Sequence, residues 1–311
     1  MKPLLFTLLS LTVASTIYAH SDIVPIPKTL SFDHEKAQLG KQLFKDPILS
    51  RDGTVSCSSC HDLQSNGAAS TKYSVGLDKK ETTINTPTIF NAVLNFVQFH
   101  DGRAKDLDQQ LTLGATQSTC LDTKVETMVS KLQSSSYKEK FAKIFHDGIT
   151  KENVVSVIVE FEKALITPYS RFDKYLRGDV TILTSQELKG YKTFQEDGCI
   201  NCHNGVNIGA NMYQKMGLFV PYKANKISNG RFDVTKRERD KFVYKVPTLR
   251  NVAQTAPYFH DGSAKTLSDA VVKMYEHQLG VKKSKKEVTN LVLFLKTLDA
   301  PKPTILDEGK K

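Results

Sequence analysis

Cysteine and histidine recur with the same spacing at two places in this 311-residue chain. Residues 57–61 read CSSCH and residues 199–203 read CINCH. In a Cys-x-x-Cys-His segment the two thiols can add to the two vinyl groups of a haem, and the adjacent histidine then reaches the iron from the proximal side. The pattern therefore predicts two covalently bound haem c groups. Their attachment residues are Cys57, Cys60, Cys199 and Cys202, with His61 and His203 as axial iron ligands.

Paired cysteines have other uses, namely a disulfide, a thioredoxin-like redox pair or half of a zinc site. A redox pair does not require a histidine directly after the second cysteine in both copies. A zinc site made of four cysteines does not need its two pairs 142 residues apart. Haem attachment is therefore the preferred interpretation of both motifs.

A second repeat follows each motif at a constant offset of 160 residues. The segment QFHDGRAKDL (98–107) lies over YFHDGSAKTL (258–267), and TPTIFNAV (86–93) lies over VPTLRNVA (246–253). A repeat of this length predicts two related structural units. His100 and His260 occupy the same place in it. We expect each to form a hydrogen bond beside its own haem, with direct iron ligation as the alternative.

The start of the chain predicts export. Lys2 precedes a mostly apolar run from Leu4 to Ala14, and Ala19 is a small residue before an expected cleavage point. The run is short and interrupted for a membrane span, although an uncleaved anchor is the alternative. Residues 1–19 are thus predicted to be a signal peptide. Covalent haem attachment normally follows export, so the predicted location is the periplasm.

Helical patterns dominate the rest of the chain, and strand patterns are sparse. Amphipathic or capped helices are predicted at 33–44, 125–145, 152–166, 184–194 and 284–298. The predicted fold is mainly α, with two cytochrome c-like haem domains related by internal duplication. The predicted divisions are an N-terminal domain (20–166), a C-terminal domain (167–298) and a polar, proline-rich tail (299–311) outside the core.

The two predicted haems differ in their second axial ligand. Met274 lies fourteen residues after His260, and the repeat offset places Gly114 at the corresponding position of the first unit. A methionine ligand gives an electron-transfer haem with a raised potential, whereas an open position allows chemistry. We therefore expect Met274 to ligate haem 2 and haem 1 to bind substrate. The alternative is that Met274 only fills the core.

These motifs together resemble the bacterial di-haem cytochrome c peroxidases, a family with relatives that modify protein side chains. The resemblance covers nearly the whole mature chain and includes SRDGTVSCSSCH, INTPTIFNA, FHDGRAKDL, TLRNVAQTAPYFHDG and the run from Met274 to Gly280. It implies that hydrogen peroxide is reduced at the N-terminal haem, with electrons delivered through the C-terminal haem. It also implies a calcium ion held by the side chain of Asn85 and the carbonyl oxygens of Thr255 and Pro257.

Three positions depart from the family pattern. Leu77 stands where the family usually has a distal histidine, and His100 stands where it has a tryptophan between the haems. The chain contains no tryptophan. Cys120 falls at the family's catalytic glutamate, in a loosely aligned stretch that also holds Asp122 and Glu126. Cys120 is the cysteine left over after haem attachment. It could ligate iron, become oxidised or be an inert apolar residue.

The sequence thus predicts a periplasmic enzyme that reduces hydrogen peroxide with electrons from a small redox protein, either a monohaem cytochrome c or a cupredoxin. Cys120 and His100 are its candidate catalytic residues. The alternatives are a two-haem electron carrier and a haem-dependent oxidase of a partner protein's side chains. The net charge of +10 invites a nucleic-acid interpretation, but export and haem argue against one. A homodimer is an allowed assembly.

Overall fold

The computed structural model describes residues 23–224 and 228–307, and the predicted signal peptide lies outside the described residues. The described chain is mainly helical, as predicted. Its helices are α1 (His34–Lys45), α2 (Leu107–Ala115), α3 (Val125–Gln133), α4 (Tyr137–Ile144), α5 (Lys151–Lys163), α6 (Arg171–Leu176), α7 (Ser185–Glu196), α8 (Phe232–Thr235), α9 (Leu267–Met274) and α10 (Lys285–Lys296). Two short antiparallel strands, β1 (Tyr213–Lys215) and β2 (Val243–Lys245), pair with Tyr213 opposite Lys245.

Several helices begin where the sequence predicts. Asp33 caps α1 by accepting a hydrogen bond from the amide of Lys36. Thr184 and Ser284 each form a capping box with a glutamate three residues later, at the starts of α7 and α10. The caps satisfy backbone amides that have no partner inside the helix.

The single helix predicted over 125–145 is wrong, because the chain forms α3 and α4 with a break between them. Three consecutive serines, residues 134–136, lie at the break. The Ser135 hydroxyl donates to the carbonyl of Leu132 and accepts from the amide of Tyr137. Serine side chains offer the backbone such alternatives to continued helix.

The described residues form two large hydrophobic cores, one around each haem motif, and a small third cluster of Ala92, Leu107 and Val159. In the first, α1 crosses α5, and Gly40 lies so close to α5 that an added Cβ would stand 1.9 Å from the Val157 carbonyl oxygen. In the second, α7 crosses α10, and a Cβ added to Gly190 would stand 2.0 Å from the Asn290 carbonyl oxygen. Glycine at both crossings permits the close approach of the two helix backbones.

The two ends of the described chain pack on the opposite cores. Ile23 belongs to the C-terminal core, whereas Ile305 is 7% exposed and belongs to the N-terminal core. Lys41 of α1 donates a hydrogen bond to the Ile305 carbonyl at 2.7 Å. The expectation that the tail stays outside the core is therefore wrong for Ile305, because one apolar residue in a polar segment is enough to anchor it.

No helix among the described residues has both the length and the apolar character needed to cross a membrane.

Candidate haem sites

The first Cys-x-x-Cys-His motif follows α1 and forms a 3₁₀ turn, Cys57–Ser59. The amides of Cys60 and His61 both donate to the Cys57 carbonyl, at 3.2 and 3.0 Å. Ser56 and Ser59 close a capping box at the start of the turn. The motif backbone is thus fixed by local hydrogen bonds.

The second motif repeats this geometry after α7, in the turn Cys199–Asn201. The amides of Cys202 and His203 donate to the Cys199 carbonyl at 3.2 and 2.9 Å. Gly198 precedes the turn with a φ of +82°, a conformation that glycine adopts without strain. All five cysteines are free thiols, so neither motif forms a disulfide. Both motifs therefore offer two thiols and a histidine in matching positions.

The two motif histidines are half-buried, and desolvation of the rings lowers the pKa of both, that of His203 to about 4. Nδ1 of His61 lies 3.1 Å from the Gly67 carbonyl oxygen, which assigns a proton to Nδ1 and leaves the Nε2 lone pair for a metal. Nδ1 of His203 has no hydrogen-bond partner among the described residues. The backbone carbonyl groups of Ile208 and Pro247 lie near the His203 ring and partly offset the lowering of its pKa. Neither forms a hydrogen bond of standard geometry with Nδ1. Neutral imidazoles are the form that ligates iron.

Met274 is the last residue of α9, and a π-helical turn, Tyr275–Leu279, follows it directly. Such turns are frequent at functional sites. Helices α2 and α9 begin at the repeat offset, at Leu107 and Leu267, and each is capped by the preceding side chain. Gly114 therefore occupies in α2 the place that Met274 occupies in α9. The structural correspondence supports the spacing argument from the sequence.

Leu77 and Cys120, two of the atypical positions, lie on neighbouring loops. A Cβ added to Gly76 would stand 2.1 Å from the Thr119 carbonyl oxygen, so the loops touch through their backbones. Arg51 joins them by ion pairs to Asp78 at 2.7 Å and to Asp122 at 2.6 Å. Leu77 itself is 1% exposed. The Leu77 loop and the Cys120 loop are therefore packed directly against each other.

Cys120 faces the first haem motif. Burial, followed by the nearby Cys60, raises the pKa of Cys120 to about 11. Burial, followed by Cys120 and Glu162, raises the pKa of Cys57 well above its usual range. Cys120 is therefore a neutral thiol at pH 7, next to the haem attachment residues and poorly suited to replace a catalytic glutamate.

His100 and His260 meet at one tyrosine. The Tyr244 ring stacks on His260 with centroids 4.4 Å apart and on His100 with centroids 5.9 Å apart. Nε2 of His100 lies 3.1 Å from the Ser228 hydroxyl, and the Tyr244 hydroxyl donates to the Ser228 carbonyl. Burial lowers the pKa of His100 to about 4, so its ring is neutral. The repeated histidines are thus part of one ring stack, in which Tyr244 is buried and both histidines are half-buried.

Asn85, one of the three residues expected to bind calcium, contacts the second unit. The Asn85 amide donates to the His260 carbonyl, and the Asn85 side-chain nitrogen donates to the carbonyls of Thr71 and Lys72. This arrangement leaves the Asn85 Oδ1 available as a ligand for a cation. The peptide bond between Ala256 and Pro257 is cis. Among the described residues, no cluster of three or more histidine, cysteine or acidic side chains forms a metal site.

Sequence reasoning did not single out Arg51, Glu162 or Tyr244. Arg51 and Tyr244 depend on partners distant in the chain, and nothing in the local sequence indicates them. Glu162 does have a signal, since it falls four residues after Ile158 and eight after Val154, on the apolar face of α5. A carboxylate on that face is unusual and could have been noticed.

The donor set fits two haem c groups. Each motif offers paired thiols in a hydrogen-bonded turn, followed by a neutral imidazole. The second unit adds a thioether at the end of α9, whereas the first has Gly114 there. The two donor sets therefore differ by one thioether, which only the second unit has at this position.

Comparisons with known proteins agree with this chemistry. Residues 34–181 match the family model of the di-haem cytochrome c peroxidases. The chain is 42% identical to a cytochrome c551 peroxidase of Nitrosomonas europaea, over 97% of this chain and 93% of the relative. It is 40% identical to the cytochrome c peroxidase Ccp of Escherichia coli, over 91% of this chain but 62% of that longer relative. The methylamine utilization protein MauG of Methylophilus methylotrophus is 26% identical over 91% of this chain and 88% of the relative.

A solved structure has a similar fold. The crystal structure of a MauG-like protein associated with microbial copper homeostasis superposes with a TM-score of 0.79 at 26% identity. The match covers 94% of this chain and 97% of that protein.

Proposed function

Because the chain belongs to the di-haem cytochrome c peroxidase family and is a peroxidase-type oxidoreductase, we propose a division of labour between its two units. Hydrogen peroxide is reduced to water at haem 1, bound by Cys57, Cys60 and His61. Electrons from a small redox protein enter through haem 2, bound by Cys199, Cys202, His203 and Met274. The observation that carries the proposal is the methionine at the end of α9 with glycine at its counterpart in α2.

The two units descend, in this proposal, from one duplicated cytochrome c-like domain. Both place a glycine at a helix crossing, Gly40 and Gly190. Both also have an asparagine with positive φ at the repeat offset, Asn91 and Asn251. The proposed domains are 20–166 and 167–298, with the terminal segments crossing between them.

Haem iron, when bound, supplies the redox equivalents and the site at which peroxide binds. His61 would hold that iron through Nε2, because the Gly67 carbonyl accepts a hydrogen bond from Nδ1 and so fixes the ring proton there. Leu77 stands where the family resemblance implies a histidine and would offer no lone pair to that iron. Peroxide should therefore bind to the oxidised protein without prior reduction of haem 2.

A calcium ion between the units is the second cofactor of the proposal. Asn85 would supply Oδ1, and Thr255 and Pro257 would supply carbonyl oxygens, which suit a hard cation. The hydrogen bonds of Asn85 to His260, Thr71 and Lys72 support this role, because they fix the side chain at the contact between the units.

We assign the protein to the periplasm, on the signal-peptide pattern of residues 1–19 and on the need to attach haem after export. The electron donor is a monohaem cytochrome c or a cupredoxin with an acidic docking surface. The net charge of +10 supports electrostatic steering of such a partner.

Absorption and EPR spectra of the oxidised holoprotein, recorded with and without peroxide, test the proposal. The expected result is a high-spin haem 1 that changes on adding peroxide and a low-spin haem 2 that does not change directly. A low-spin haem 1 that ignores both cyanide and peroxide would contradict it.

One observation favours a second function. Cys120 lies beside the first haem motif, where its sulfur could become the sixth ligand of haem 1. Such a protein would be a two-haem electron carrier. The spectrum of a Cys120→Ala variant separates the two functions, since only a carrier of this kind would change from low-spin to high-spin.

A further inference from the structure

Four exposed apolar side chains lie beside the turn that follows Met274. Leu218 and Phe219 are 54% and 64% exposed, and Val220 and Val281 are exposed as well. Single apolar side chains on a surface are ordinary, but several of them together mark a contact surface. We call these four residues the apolar patch. The mechanism derived above gives the patch no role.

Backbone hydrogen bonds hold the apolar patch against the π-helical turn Tyr275–Leu279. The amides of Phe219 and Val220 both donate to the His277 carbonyl, at 3.0 and 3.3 Å. A Cβ added to Gly280 would stand 3.1 Å from the Cβ of Phe219, so the two segments also touch at the end of the turn. The patch therefore covers the residues that directly follow the proposed thioether ligand of haem 2.

Positive charge adjoins the apolar patch. The segment 272–286 contains five lysines and one acid, so it carries +4 of the chain's net charge of +10. Lys283 is paired with Asp197 at 3.0 Å. Three other lysines of this segment are exposed and form no ion pair among the described residues, namely Lys282, Lys285 and Lys286. We call these three residues the lysine cluster, and its charge is available to a partner.

Two lysines of the cluster stand where a helix disfavours them. Lys285 and Lys286 are the first two residues of α10, directly after the capping residue Ser284. The N-terminal end of a helix carries partial positive charge, which favours acidic side chains and disfavours cations. The two lysines therefore do not serve the stability of α10, and an interaction outside the helix accounts for them better.

We propose that the apolar patch and the lysine cluster form the docking surface of the electron donor, and that this donor is a one-electron redox protein whose cofactor edge is ringed by carboxylates. This inference rests on the proposed entry of electrons at haem 2. The lysine cluster steers the acidic donor, and the apolar patch excludes water from the contact. The donor is oxidised by one electron and haem 2 is reduced by it, and no bond or proton moves.

The lysine cluster argues against two other occupants of this surface. In a symmetric dimer the patch would meet the same patch of a second copy, and the two lysine clusters would repel each other. An anionic membrane would attract the cluster, but it would cover the turn after Met274 and keep a donor protein away from haem 2. An acidic redox protein satisfies both the charge and the position.

The test compares holoproteins with changes inside and outside the proposed surface. Phe219→Ser removes apolar contact, and Lys285→Glu with Lys286→Glu reverses charge. Val180→Ser is the apolar control, since Val180 is 66% exposed on a loop of the same unit. The charge control is Lys138→Glu with Lys143→Glu, which changes the net charge equally at two exposed positions of α4.

Two probes and two measurements are used. Plastocyanin is an acidic one-electron carrier, and mitochondrial cytochrome c is a basic one. Isothermal titration calorimetry with the oxidised probes gives Kd at several salt concentrations, without electron transfer. Anaerobic stopped-flow mixing with reduced plastocyanin, in the absence of peroxide, gives the rate of haem 2 reduction.

Plastocyanin should bind the wild type more tightly than cytochrome c does, and its Kd should rise with salt. Lys285→Glu with Lys286→Glu should raise Kd and slow haem 2 reduction by about tenfold or more and should weaken the salt dependence, because steering is lost. Phe219→Ser should raise Kd by about tenfold or more without changing the salt dependence, because apolar burial is lost. Both controls should stay within about twofold of the wild type, since distant surface charges are screened.

Equal plastocyanin binding in the patch variants and their controls would overturn the docking surface, and so would a wild type that prefers the basic probe. A wild-type dimer that Phe219→Ser dissociates in sedimentation would assign the patch to a second copy instead. Phosphatidylglycerol vesicles that bind the wild type and displace plastocyanin would assign it to a membrane. A wild type that takes electrons from plastocyanin as expected but consumes no peroxide would overturn the proposed peroxide reduction and leave the docking surface in place.

Discussion

His100 and His260 occupy the same place in the repeated sequence, yet their surroundings differ. Nε2 of His100 lies 3.1 Å from the Ser228 hydroxyl, whereas Nε2 of His260 is buried without a hydrogen-bond partner among the described residues. Ser228 and Tyr244 both come from a segment that the second unit has between its haem motif and its repeat. That spacing is 43 residues, from His203 to Val246, against 25 from His61 to Thr86. The longer connection in the second unit thus supplies the partner that only one of the two repeated histidines has.

Phe90 and Arg250 show a similar difference between equivalent positions inside the two cores. They are equivalent at the repeat offset, and both are buried, at 3% and 1% exposed. Phe90 is an ordinary apolar core residue. Arg250 instead pairs with the fully buried Asp173 at 2.8 Å and donates to the carbonyl of Val24. The C-terminal unit therefore uses a buried ion pair to hold the N-terminal segment.

The largest expected difference between the units follows from removing haem 1. The double change Cys57→Ala and Cys60→Ala should leave one covalent haem per chain instead of two and abolish peroxide reduction, because only haem 1 is predicted to bind peroxide. Mass spectrometry of the mature protein and a peroxide assay measure both effects. The matched change, Cys199→Ala with Cys202→Ala, should leave haem 1 able to bind cyanide. Peroxide turnover in the Cys57→Ala, Cys60→Ala variant would show that haem 1 is not the site of peroxide reduction.

Introducing a glutamate at position 120 should make the first unit reduce peroxide faster. Cys120→Glu places a carboxyl group near the haem 1 motif and should raise peroxide turnover by up to about 10²–10⁴-fold, because the resident thiol is a poor acid. Steady-state turnover measures the change. Cys120→Gln is the control that adds size without an acid. Equal turnover in the two variants would argue against an acid requirement at this position.

Leu77→His should make the oxidised first unit resemble the second in coordination. An imidazole at this position can cap haem 1, so cyanide binding to the oxidised protein should slow by about tenfold or more because it must displace an intramolecular ligand. Pre-reduction of haem 2 should restore the rate if reduction opens the site, as the family resemblance implies. Leu77→Phe is the control, because phenylalanine adds bulk at the same place but cannot ligate iron. Unchanged binding in Leu77→His would place residue 77 away from the iron.

Met274→Leu should reduce the difference in potential between the haems. Leucine fills a similar volume but cannot ligate iron, so the potential of haem 2 should fall by on the order of 0.1 V, a fraction of the roughly 0.8 V range that axial ligands set. A spectroscopic redox titration measures it. Met128→Leu, a fully buried methionine of the N-terminal core, is the control. If both variants keep the wild-type potential, Met274 is only a packing residue.

The smallest expected effect concerns stability and pH. The pKa of Glu162 is raised by burial to about 8 in the folded protein, against an ordinary value of 4.5. The folded state therefore binds this proton more tightly, so its stabilising contribution is complete below pH 4.5 and is lost as pH rises through 8.

Glu162→Leu should accordingly flatten the fall in stability between pH 5 and 8. It should raise the free energy of unfolding at pH 8 by about 2 kcal/mol or more, because a well-packed apolar side chain replaces a buried unpaired charge. Denaturant unfolding at several pH values gives the slope, and Glu152→Gln should leave it unchanged. A steeper slope in Glu162→Leu would mean that the carboxylate has a partner in the holoprotein.

Local sequence determined much of this protein. The cysteine–histidine spacing and the capping boxes at Thr184 and Ser284 depend on residues close together in the chain, and the 160-residue repeat is visible by comparing two segments of the sequence. The family and the peroxidase activity that these patterns predicted are confirmed by the relatives. The haem ligands, the calcium site and the role of Met274 stay predictions. The domain boundaries at residues 167 and 299 also stay predictions.

Tertiary structure alone decided how distant parts meet. Arg51 joins the Leu77 and Cys120 loops, Tyr244 lies between His100 and His260, and Ile305 returns to the first core. Each of these contacts joins residues far apart in the chain. Helix caps and motif spacing are set by hydrogen bonds within a few residues, so sequence patterns reveal them. Contacts between distant side chains depend on how the two cores pack together, and no local pattern records that packing.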